Sequence, residues 1–293
     1  MDYSLRELEC FIAVAEELSF TRAAKNLRLA QPPLSRHVRV LEEKVGARLF
    51  DREGRRVALT SAGAVFYEET RRILPQLRRA REAVQRALSG EVARLRLGFV
   101  SAVLSPDLLD TLKRFRHRYP KVQLEMHDGT PGEQLDRLAR GLLDGGFVGL
   151  KPVERAAGIH FTSWRKELLR VFVPFGHPLA EREEVTLKAL AQESWVAVAS
   201  EAAPAYYSYV QSLCATVGFR PRVVLESPRA QAVVVMVAAG SGIALLPASL
   251  AHVAGPAVKV LTLRPAASIT HVFARAAGTM SAPLRSFVDL LEE

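Results

Sequence analysis

The sequence contains few cysteines and no long apolar run. Its 293 residues include two cysteines, Cys10 and Cys214, which fall on patterns typical of helices. We expect both thiols to be buried and free, because they lie in different predicted domains and neither domain offers a second cysteine for a redox switch. No stretch approaches the roughly eighteen apolar residues of a membrane helix, and the N-terminus lacks the apolar core of a signal peptide. The sequence therefore predicts a cytoplasmic protein with no membrane partner.

Signatures of catalysis and of cofactor binding are also missing. The seven histidines are scattered, without the spacing that metal ligands require. A Gly-Ser-Gly run at 240–242 precedes a predicted strand, whereas a nucleophile elbow joins a strand to a helix. Neither a phosphate-binding loop nor a dinucleotide-binding fingerprint is present. We therefore expect no catalytic residue, no metal and no cofactor, and we do not expect an enzyme.

Positive charge is abundant and unevenly distributed. The chain has 40 Lys and Arg against 31 Asp and Glu, a net charge of +9. Residues 21–60 hold ten of the basic residues and four of the acidic ones, so most of the excess lies in forty residues. A local basic field attracts phosphate groups and gives an affinity that depends on salt. This distribution predicts a nucleic-acid partner for the N-terminal part of the chain.

Residues 19–50 predict two short helices joined by a tight turn. Ser19 is a good N-cap for the first helix, and residues 29–31 make the turn. Pro32 and Pro33 suit the first turn of the second helix, where amides have no intrahelical partner. On that helix three apolar residues at 4,3 spacing face inward and leave polar groups outside, as in a helix that reads the major groove. The candidate DNA-binding residues are Gln31, Pro32, Pro33, Ser35, Arg36, His37 and Arg39. The alternative is an ordinary amphipathic helix with a solvated face.

Residues 51–60 predict a hairpin with a basic tip. Gly54 marks the turn, and Arg52, Arg55 and Arg56 surround it before a short strand. A winged helix places such a tip beside the phosphate backbone or in the minor groove of double-stranded DNA. A solvated charged turn is the alternative interpretation.

From residue 61 to about residue 88 the pattern predicts one long helix. Apolar residues recur at spacings of 4,3,4,3, which is typical of a coiled-coil seam. A second copy of the chain is the simplest partner for this stripe, and the dimerisation residues are Phe66, Ile73, Leu77 and Val84. Pro75 removes a backbone hydrogen bond, so we expect it to bend the helix.

Beyond residue 91 predicted strands alternate with predicted helices. The alternation favours parallel sheets with helices on both faces, arranged as two α/β lobes. A strand near 269–274 and a helix near 283–291 return to the first sheet. A ligand would bind between the lobes, outside the carboxyl ends of the strands.

Small hydroxyl residues occur where helices are expected to begin. Free amides at a helix start attract anions, so these positions in both lobes favour a small effector that carries a carboxylate. The candidate effector-binding residues are Ser101, Ala102, Thr130, Gly149, Ser200, Pro204 and Tyr206. Each hydroxyl has helix capping as an alternative role. Tyr206 has ordinary helix packing as its alternative, and Gly149 either leaves room at the cleft floor or only assists packing.

The winged helix-turn-helix of LysR-type transcriptional regulators resembles residues 23–63, AAKNLRLAQPPLSRHVRVLEEKVGARLFDREGRRVALTSAG. The order of elements over the whole chain is also similar. Pro32-Pro33 after Gln31 resembles the subgroup that governs degradation of aromatic compounds. The resemblance implies a homotetramer, built as a dimer of dimers, that binds an interrupted palindromic operator and RNA polymerase. It also implies effector contacts at Ser101 and Thr130.

The resemblance and the residue patterns together predict the following organisation. Residues 1–60 form an all-α winged helix-turn-helix domain, and residues 61–90 form the linker and dimerisation helix. Residues 91–293 form a two-lobed α/β effector domain of the periplasmic-binding-protein-like type. Lobe I covers about 91–162 and 267–293, and lobe II covers about 163–266. The alternative is a solute-binding protein without a DNA role, which would not need the basic first sixty residues.

Overall fold

The computed structural model describes residues 3–51, 57–71, 73–77, 80–81, 84, 93–152, 156 and 158–293. Backbone contacts divide the chain into two compact units, Met1–Glu91 and Val92–Glu293. Within the described residues no helix is both long and apolar enough to cross a membrane. Cys10 and Cys214 are both buried free thiols, as the sequence predicts.

The first unit is mainly helical and contains a short two-stranded sheet. Its elements are α1 (Leu5–Glu17), α2 (Phe20–Asn26), α3 (Gln31–Val45), β1 (Phe50–Asp51), β2 (Ala58–Leu59) and α4 (Ser61–Thr70). Ser19 caps α2 by accepting a hydrogen bond from the amide of Arg22, as its sequence position predicts. Helix α3 begins one residue earlier than expected, with Ala30 as its cap and the prolines in its first turn.

The inward stripe of α3 lies in the core of this unit. Leu34, Val38 and Leu41 are fully buried, and they pack in one cluster with Phe11 and Phe50. Their 4,3 spacing puts them on the same face of the helix, and this confirms the prediction from the sequence. Burial of this stripe fixes which side of α3 is left for solvent.

The hairpin after α3 is present, but its tip is outside the described residues. Phe50 pairs with Leu59 and Asp51 with Ala58 in antiparallel register. The pairing confirms the predicted strands on either side of the turn. Arg52, Arg55 and Arg56 lie outside the described residues.

The described residues contain more than one helical stretch in the region where the sequence predicts one long helix. Helix α4 ends at Thr70, Arg71 is in a turn, and residues 73–77 are helical again. Pro75 lies inside the second of these stretches and has no amide to donate to the carbonyl of residue 71. That Pro75 bends the helix stays a prediction.

The second unit has two lobes joined by long strands. Its strands are β3 (Ala93–Phe99), β4 (Val122–Asp128), β5 (Gly145–Gly149), β6 (Ile159–Pro174), β7 (Glu184–Thr186), β8 (Ser194–Val198), β9 (Arg222–Ser227), β10 (Ala244–Pro247), β11 (Val258–Arg264) and β12 (Ser268–Ala276). Its helices are α5 (Pro106–Arg118), α6 (Pro131–Ala139), α7 (Pro204–Thr216), α8 (Ala230–Ala238), α9 (Ala251–Ala254) and α10 (Ala282–Glu292). Lobe I contains β3 to β5, β12, α5, α6 and α10, and lobe II contains β7 to β11 and α7 to α9.

The expectation of parallel sheets is only partly right. Strands β3, β4 and β5 are parallel, and so are β8 and β9, but β12 runs antiparallel to β5 and β6. The 16-residue strand β6 pairs with β12 in lobe I and then with β10 and β11 in lobe II. The chain leaves lobe I along β6 and returns along β12, so these two strands must point in opposite directions. Local alternation of strands and helices does not reveal such a return.

Candidate functional site

The outer face of α3 presents the polar groups expected of a DNA-reading helix. Gln31, Pro32, Pro33, Arg36 and Arg39 are exposed, and Ser35 and His37 are half-buried. Within the described part of the chain neither Arg36 nor Arg39 has an ion-pair partner. Exposed guanidinium groups of this kind can bind phosphate oxygens or base edges.

Helix α3 is held in place by partly buried polar contacts as well as by its apolar stripe. The Glu42 carboxylate accepts hydrogen bonds from the amides of Leu49 and Phe50, at 2.8 and 3.1 Å. Lys44 Nζ donates to Glu7 on α1 over 2.8 Å. These contacts tie the C-terminal half of α3 to α1 and to the first hairpin strand. The N-terminal half, which carries Arg36, is consequently presented on a rigid support.

Of the four predicted dimerisation residues, one is half-buried in its own unit and three are exposed. The ring of Phe66 lies 5.2 Å from that of Phe11, so this residue packs in the core of its own unit. Ile73, Leu77 and Val84 have 36%, 44% and 57% of their surface exposed. These three exposed apolar side chains could pack against another molecule.

A cavity of about 500 Å³ lies between the two lobes of the second unit. Three helices begin at its wall: α6 from lobe I, and α7 and α8 from lobe II. Thr130 and Pro131 line it at the first of these starts, Ala203 and Pro204 at the second, and Ala230 at the third. The free amides of helix starts carry partial positive charge, so their convergence favours a bound anion.

Ser101 and Thr130 both line the cavity, but their local roles differ. Ser101 opens a single 3-10 turn two residues after the last residue of β3, is 6% exposed and caps no helix, since the cap of α5 is Ser105. Thr130 caps α6: its hydroxyl accepts from the Glu133 amide over 3.3 Å. The Glu133 carboxylate in turn accepts from the Thr130 amide over 2.6 Å, and this hydrogen bond is the main reason that the pKa of Glu133 is lowered. Helix capping therefore accounts for part of the role of the Thr130 hydroxyl, but it gives no role to the Ser101 hydroxyl.

The structure does not bring Ser200 together with the other predicted effector residues. It is not among the described residues that line the cavity, and Ala203 rather than Ser200 is the cap of α7. The amides of Ala202 and Ala203 both donate to the carbonyl of Ala199, so a tight turn occupies residues 199–203 and delays the helix. The sequence shows a hydroxyl before a proline but does not show this turn.

The other predicted effector residues lie at the cavity wall. Ala102, Gly149, Pro204 and Tyr206 all line it. The Tyr206 hydroxyl donates to the carbonyl of Leu245 over 2.7 Å, and burial raises the pKa of Tyr206, so the group stays protonated. The hydroxyl is thus committed to the backbone of lobe II, while the ring forms part of the wall.

Gly149 is required by its backbone conformation. Its φ of +78° lies in the left-handed region, where side chains cause strain. A Cβ placed there would meet only Val100, at an ordinary contact distance of 3.7 Å. The backbone conformation, and not a clash with a neighbouring residue, therefore favours glycine at this position.

Charged residues that the sequence did not single out also line the cavity. The charged residues are Glu201 and Arg229, and Arg229 directly precedes α8. His271 on β12 also lines the cavity. Arg229 Nη1 lies 3.3 Å from Asp128 Oδ2, and Nη2 lies 3.9 Å from Glu133 Oε2. Both carboxylates belong to lobe I and Arg229 belongs to lobe II, so these ion pairs join the lobes.

Behind His271 lies a buried carboxylate, Glu167 on β6. Its oxygens accept hydrogen bonds from Arg165 and His271, both over 2.6 Å, and from the amide of Ser249 over 2.5 Å. Burial would raise the pKa of Glu167, but the hydrogen bonds from His271 and Ser249 outweigh burial and lower it. Ser249 Oγ also donates to the carbonyl of Ala102 over 2.9 Å. The Glu167 cluster therefore connects β6, lobe II and the cavity wall of lobe I.

A second, more open groove of about 850 Å³ runs between α5 and the edge strand β4. Its lining is mainly apolar side chains with Lys113, Arg116 and His117 at the border. It contains none of the helix starts that converge on the cavity between the lobes. We therefore take the smaller, interlobe cavity as the candidate effector site.

Two sequence profiles match the chain. The one described as "Bacterial regulatory helix-turn-helix protein, lysR family" matches residues 5–64, and "LysR substrate binding domain" matches residues 88–293. The HTH-type transcriptional regulator AlsR of Bacillus subtilis (strain 168) is 36% identical over 84% of this chain and 80% of its own length. The HTH-type transcriptional regulator BenM of Acinetobacter baylyi is 35% identical over the same shares.

Solved structures show the same fold. The crystal structure of CbnR, a LysR family transcriptional regulator, aligns with a TM-score of 0.67 and 26% identity, over 100% of this chain and 98% of that one. Full-length CbnR complexed with its target DNA aligns with a TM-score of 0.59 and 26% identity, over 100% and 99% of the two chains. With the N-terminal and C-terminal profiles both matched and the relatives covering most of the chain, the protein belongs to the LysR family of DNA-binding transcriptional regulators, whose members carry an effector-binding domain.

Proposed function

We propose that the chain reads an operator with α3 and responds to a small carboxylate bound between the lobes of its second unit. The observation that carries the effector half is the convergence of three helix starts on one cavity. A carboxylate there receives amide hydrogen bonds and the favourable field of the helix ends. The Pro32-Pro33 resemblance supports an aromatic acid, or a product of its ring cleavage, as the natural effector.

The proposed organisation follows the sequence interpretation. Residues 1–60 bind double-stranded DNA, with Arg52, Arg55 and Arg56 at the backbone beside the site. Residues 61–90 pair two copies, and residues 91–293 sense the effector and join the dimers into a tetramer. We further propose that the protein acts in the cytoplasm, together with RNA polymerase, by binding and without a catalytic step. Support for these roles comes from relatives that are transcriptional regulators.

Arg36 is the residue whose replacement best tests base reading by α3. If Arg36 contacts a base edge, Arg36→Ala should cost about 1–3 kcal/mol on the operator and little on random DNA. Binding is measured by fluorescence anisotropy at several salt concentrations, on an operator located by footprinting next to the protein's own gene. Arg6→Ala, on the exposed face of α1, is the matched control and should bind like the wild type. Equal losses on both DNAs would make Arg36 a phosphate contact.

Ser101 and Thr130 test the position of the effector. A panel of carboxylic acids is first screened by thermal shift, and the acid that stabilises the wild type most is titrated by calorimetry. Ser101→Ala and Thr130→Val should each weaken its binding at least tenfold, since a hydrogen bond to a charged group contributes about 1.5–3 kcal/mol. Operator affinity without the acid should stay unchanged.

Thr130→Ser is the control for the helix cap. Serine keeps the hydroxyl that caps α6, so this variant should retain both stability and effector binding. If Ser101→Ala and Thr130→Val bind the acid like the wild type, the hydroxyls have structural roles only. The effector contacts would then have to be sought among the other residues of the cavity.

A further inference from the structure

We propose that Arg229 binds the anionic group of the effector by exchanging its ion pairs with Asp128 and Glu133 for the ligand. The proposal rests on the proposed function, in which a carboxylate occupies the interlobe cavity. It adds the residue that supplies the countercharge and the contacts that change when the ligand enters.

Arg229 has a position that suits a countercharge. It is the only Lys or Arg among the described residues that line the cavity, whose wall is otherwise largely apolar. Glu201 is the only carboxylate among the described residues that line the cavity, and it would repel an anion. A carboxylate that leaves water for such a site needs a paired charge and hydrogen bonds. The planar guanidinium of arginine offers a two-pronged fit to a carboxylate.

The present partners of Arg229 hold it loosely. Its distances of 3.3 Å to Asp128 and 3.9 Å to Glu133 exceed the roughly 2.7–2.9 Å of a charge-assisted hydrogen bond. The side chains of Arg229, Asp128 and Glu133 are 36%, 46% and 59% exposed, so solvent screens both ion pairs. Ion pairs of this exposure contribute little to stability. The exchange therefore costs little and leaves the donors of Arg229 for a better-placed acceptor.

After the exchange, both carboxylates keep another hydrogen-bond partner or access to water. Glu133 keeps its hydrogen bond from the Thr130 amide at 2.6 Å, and Asp128, at the end of β4, is open to water. Since both lie in lobe I and Arg229 lies in lobe II, the exchange replaces a direct link between the lobes by a link through the ligand. Ligand binding is thereby coupled to the spacing of the lobes, because the ligand interacts differently with the two arrangements.

The test uses two substitutions that should act in opposite directions. Arg229→Gln removes the countercharge and should lower the affinity for a carboxylate at least tenfold. Asp128→Asn removes a competitor for Arg229 and should raise that affinity severalfold. Arg229→Lys keeps the charge without the planar fork and should be intermediate. Arg220→Gln removes an exposed positive charge away from the cavity and should change nothing.

The probes are formate and benzoate, each paired with its uncharged amide, and binding to the full-length protein is followed by calorimetry. The proposal requires that carboxylates bind better than amides, and that this preference disappears in Arg229→Gln. A purely structural ion pair would instead make Arg229→Gln and Asp128→Asn weaken binding together. If Ser101→Ala weakens carboxylate binding and Arg229→Gln does not, the proposed function survives and this inference is overturned. If no carboxylate binds even to Asp128→Asn, both are overturned.

Discussion

Glu167→Ala should destabilise the second unit by about 3–5 kcal/mol, the cost of breaking a buried pair and leaving its partners uncompensated. Glu167 is 6% exposed and accepts hydrogen bonds from Arg165, His271 and the Ser249 amide. His271 is 1% exposed, so it has little access to water as a substitute. Urea denaturation followed by tryptophan fluorescence measures this effect selectively, because both tryptophans, Trp164 and Trp195, lie in the second unit.

A matched control separates burial from charge. Glu183 pairs with Lys259 over 2.7 Å, but its side chain is 84% exposed. Glu183→Ala should therefore change the free energy of unfolding by no more than about 1 kcal/mol. If both substitutions have the same small effect, the cluster around Glu167 contributes nothing beyond an exposed ion pair.

The same cluster gives the stability of the second unit a defined dependence on pH. The pKa of Glu167 is lower in the folded protein than the ordinary value of about 4.3 that it has when unfolded. The stability that it contributes is thus present above that pH and is lost as the pH falls through the folded pKa. Glu167→Gln, which cannot ionise, should flatten the decline of the free energy of unfolding below about pH 4.3. An unchanged acid slope would show that Glu167 titrates normally.

Helix α3 is an example of a feature that the amino-acid sequence alone predicts. Leu34, Val38 and Leu41 follow one another at helical spacing, so their burial and the exposure of Arg36 could be read from neighbouring residues. The position of Ser101 near the end of β3 could also be predicted from neighbouring residues, and only Val100 separates the two. Periodicity acts over a few residues, so the burial of this stripe and the exposure of Arg36 were predicted correctly.

Features that depend on distant parts of the chain were not predicted. Arg229 meets Asp128 across the two lobes, and His271 meets Glu167 because β12 returns beside β6. No local pattern marks these residues, because a charged side chain before a helix or in a strand is ordinary on a solvated surface. Nothing in the sequence marks the turn at residues 199–203 either, and for this reason Ser200 was expected at the start of α7, where the structure has Ala203. The cavity could thus be located from the sequence, whereas its charged groups could not.

Ile73→Asp combined with Leu77→Asp should abolish dimerisation and, with it, cooperative operator binding. Both residues lie in the helical stretch 73–77 and are partly exposed, although apolar. Burying a fully exposed side chain of this size stabilises a complex by about 1.5–3 kcal/mol, and a dimer would bury the remaining 36% and 44% of these two surfaces from each copy. The loss should therefore reach at least about 2.5 kcal/mol, or about two orders of magnitude in the dissociation constant of the dimer, and the carboxylates placed in the seam add to it.

Val65→Asp provides the matched control for this double substitution. Val65 is apolar and 67% exposed on α4, but it lies off the 4,3 stripe. Sedimentation equilibrium of the full-length protein should show the wild-type assembly for Val65→Asp and a smaller species for the double variant. Because two linked copies of α3 engage two half-sites together, loss of pairing should weaken operator binding far more than it weakens contact with a single half-site. If the double variant keeps both its assembly and its cooperative binding, the exposed stripe does not pair the copies, and the second unit alone must hold the two DNA-binding helices at their spacing.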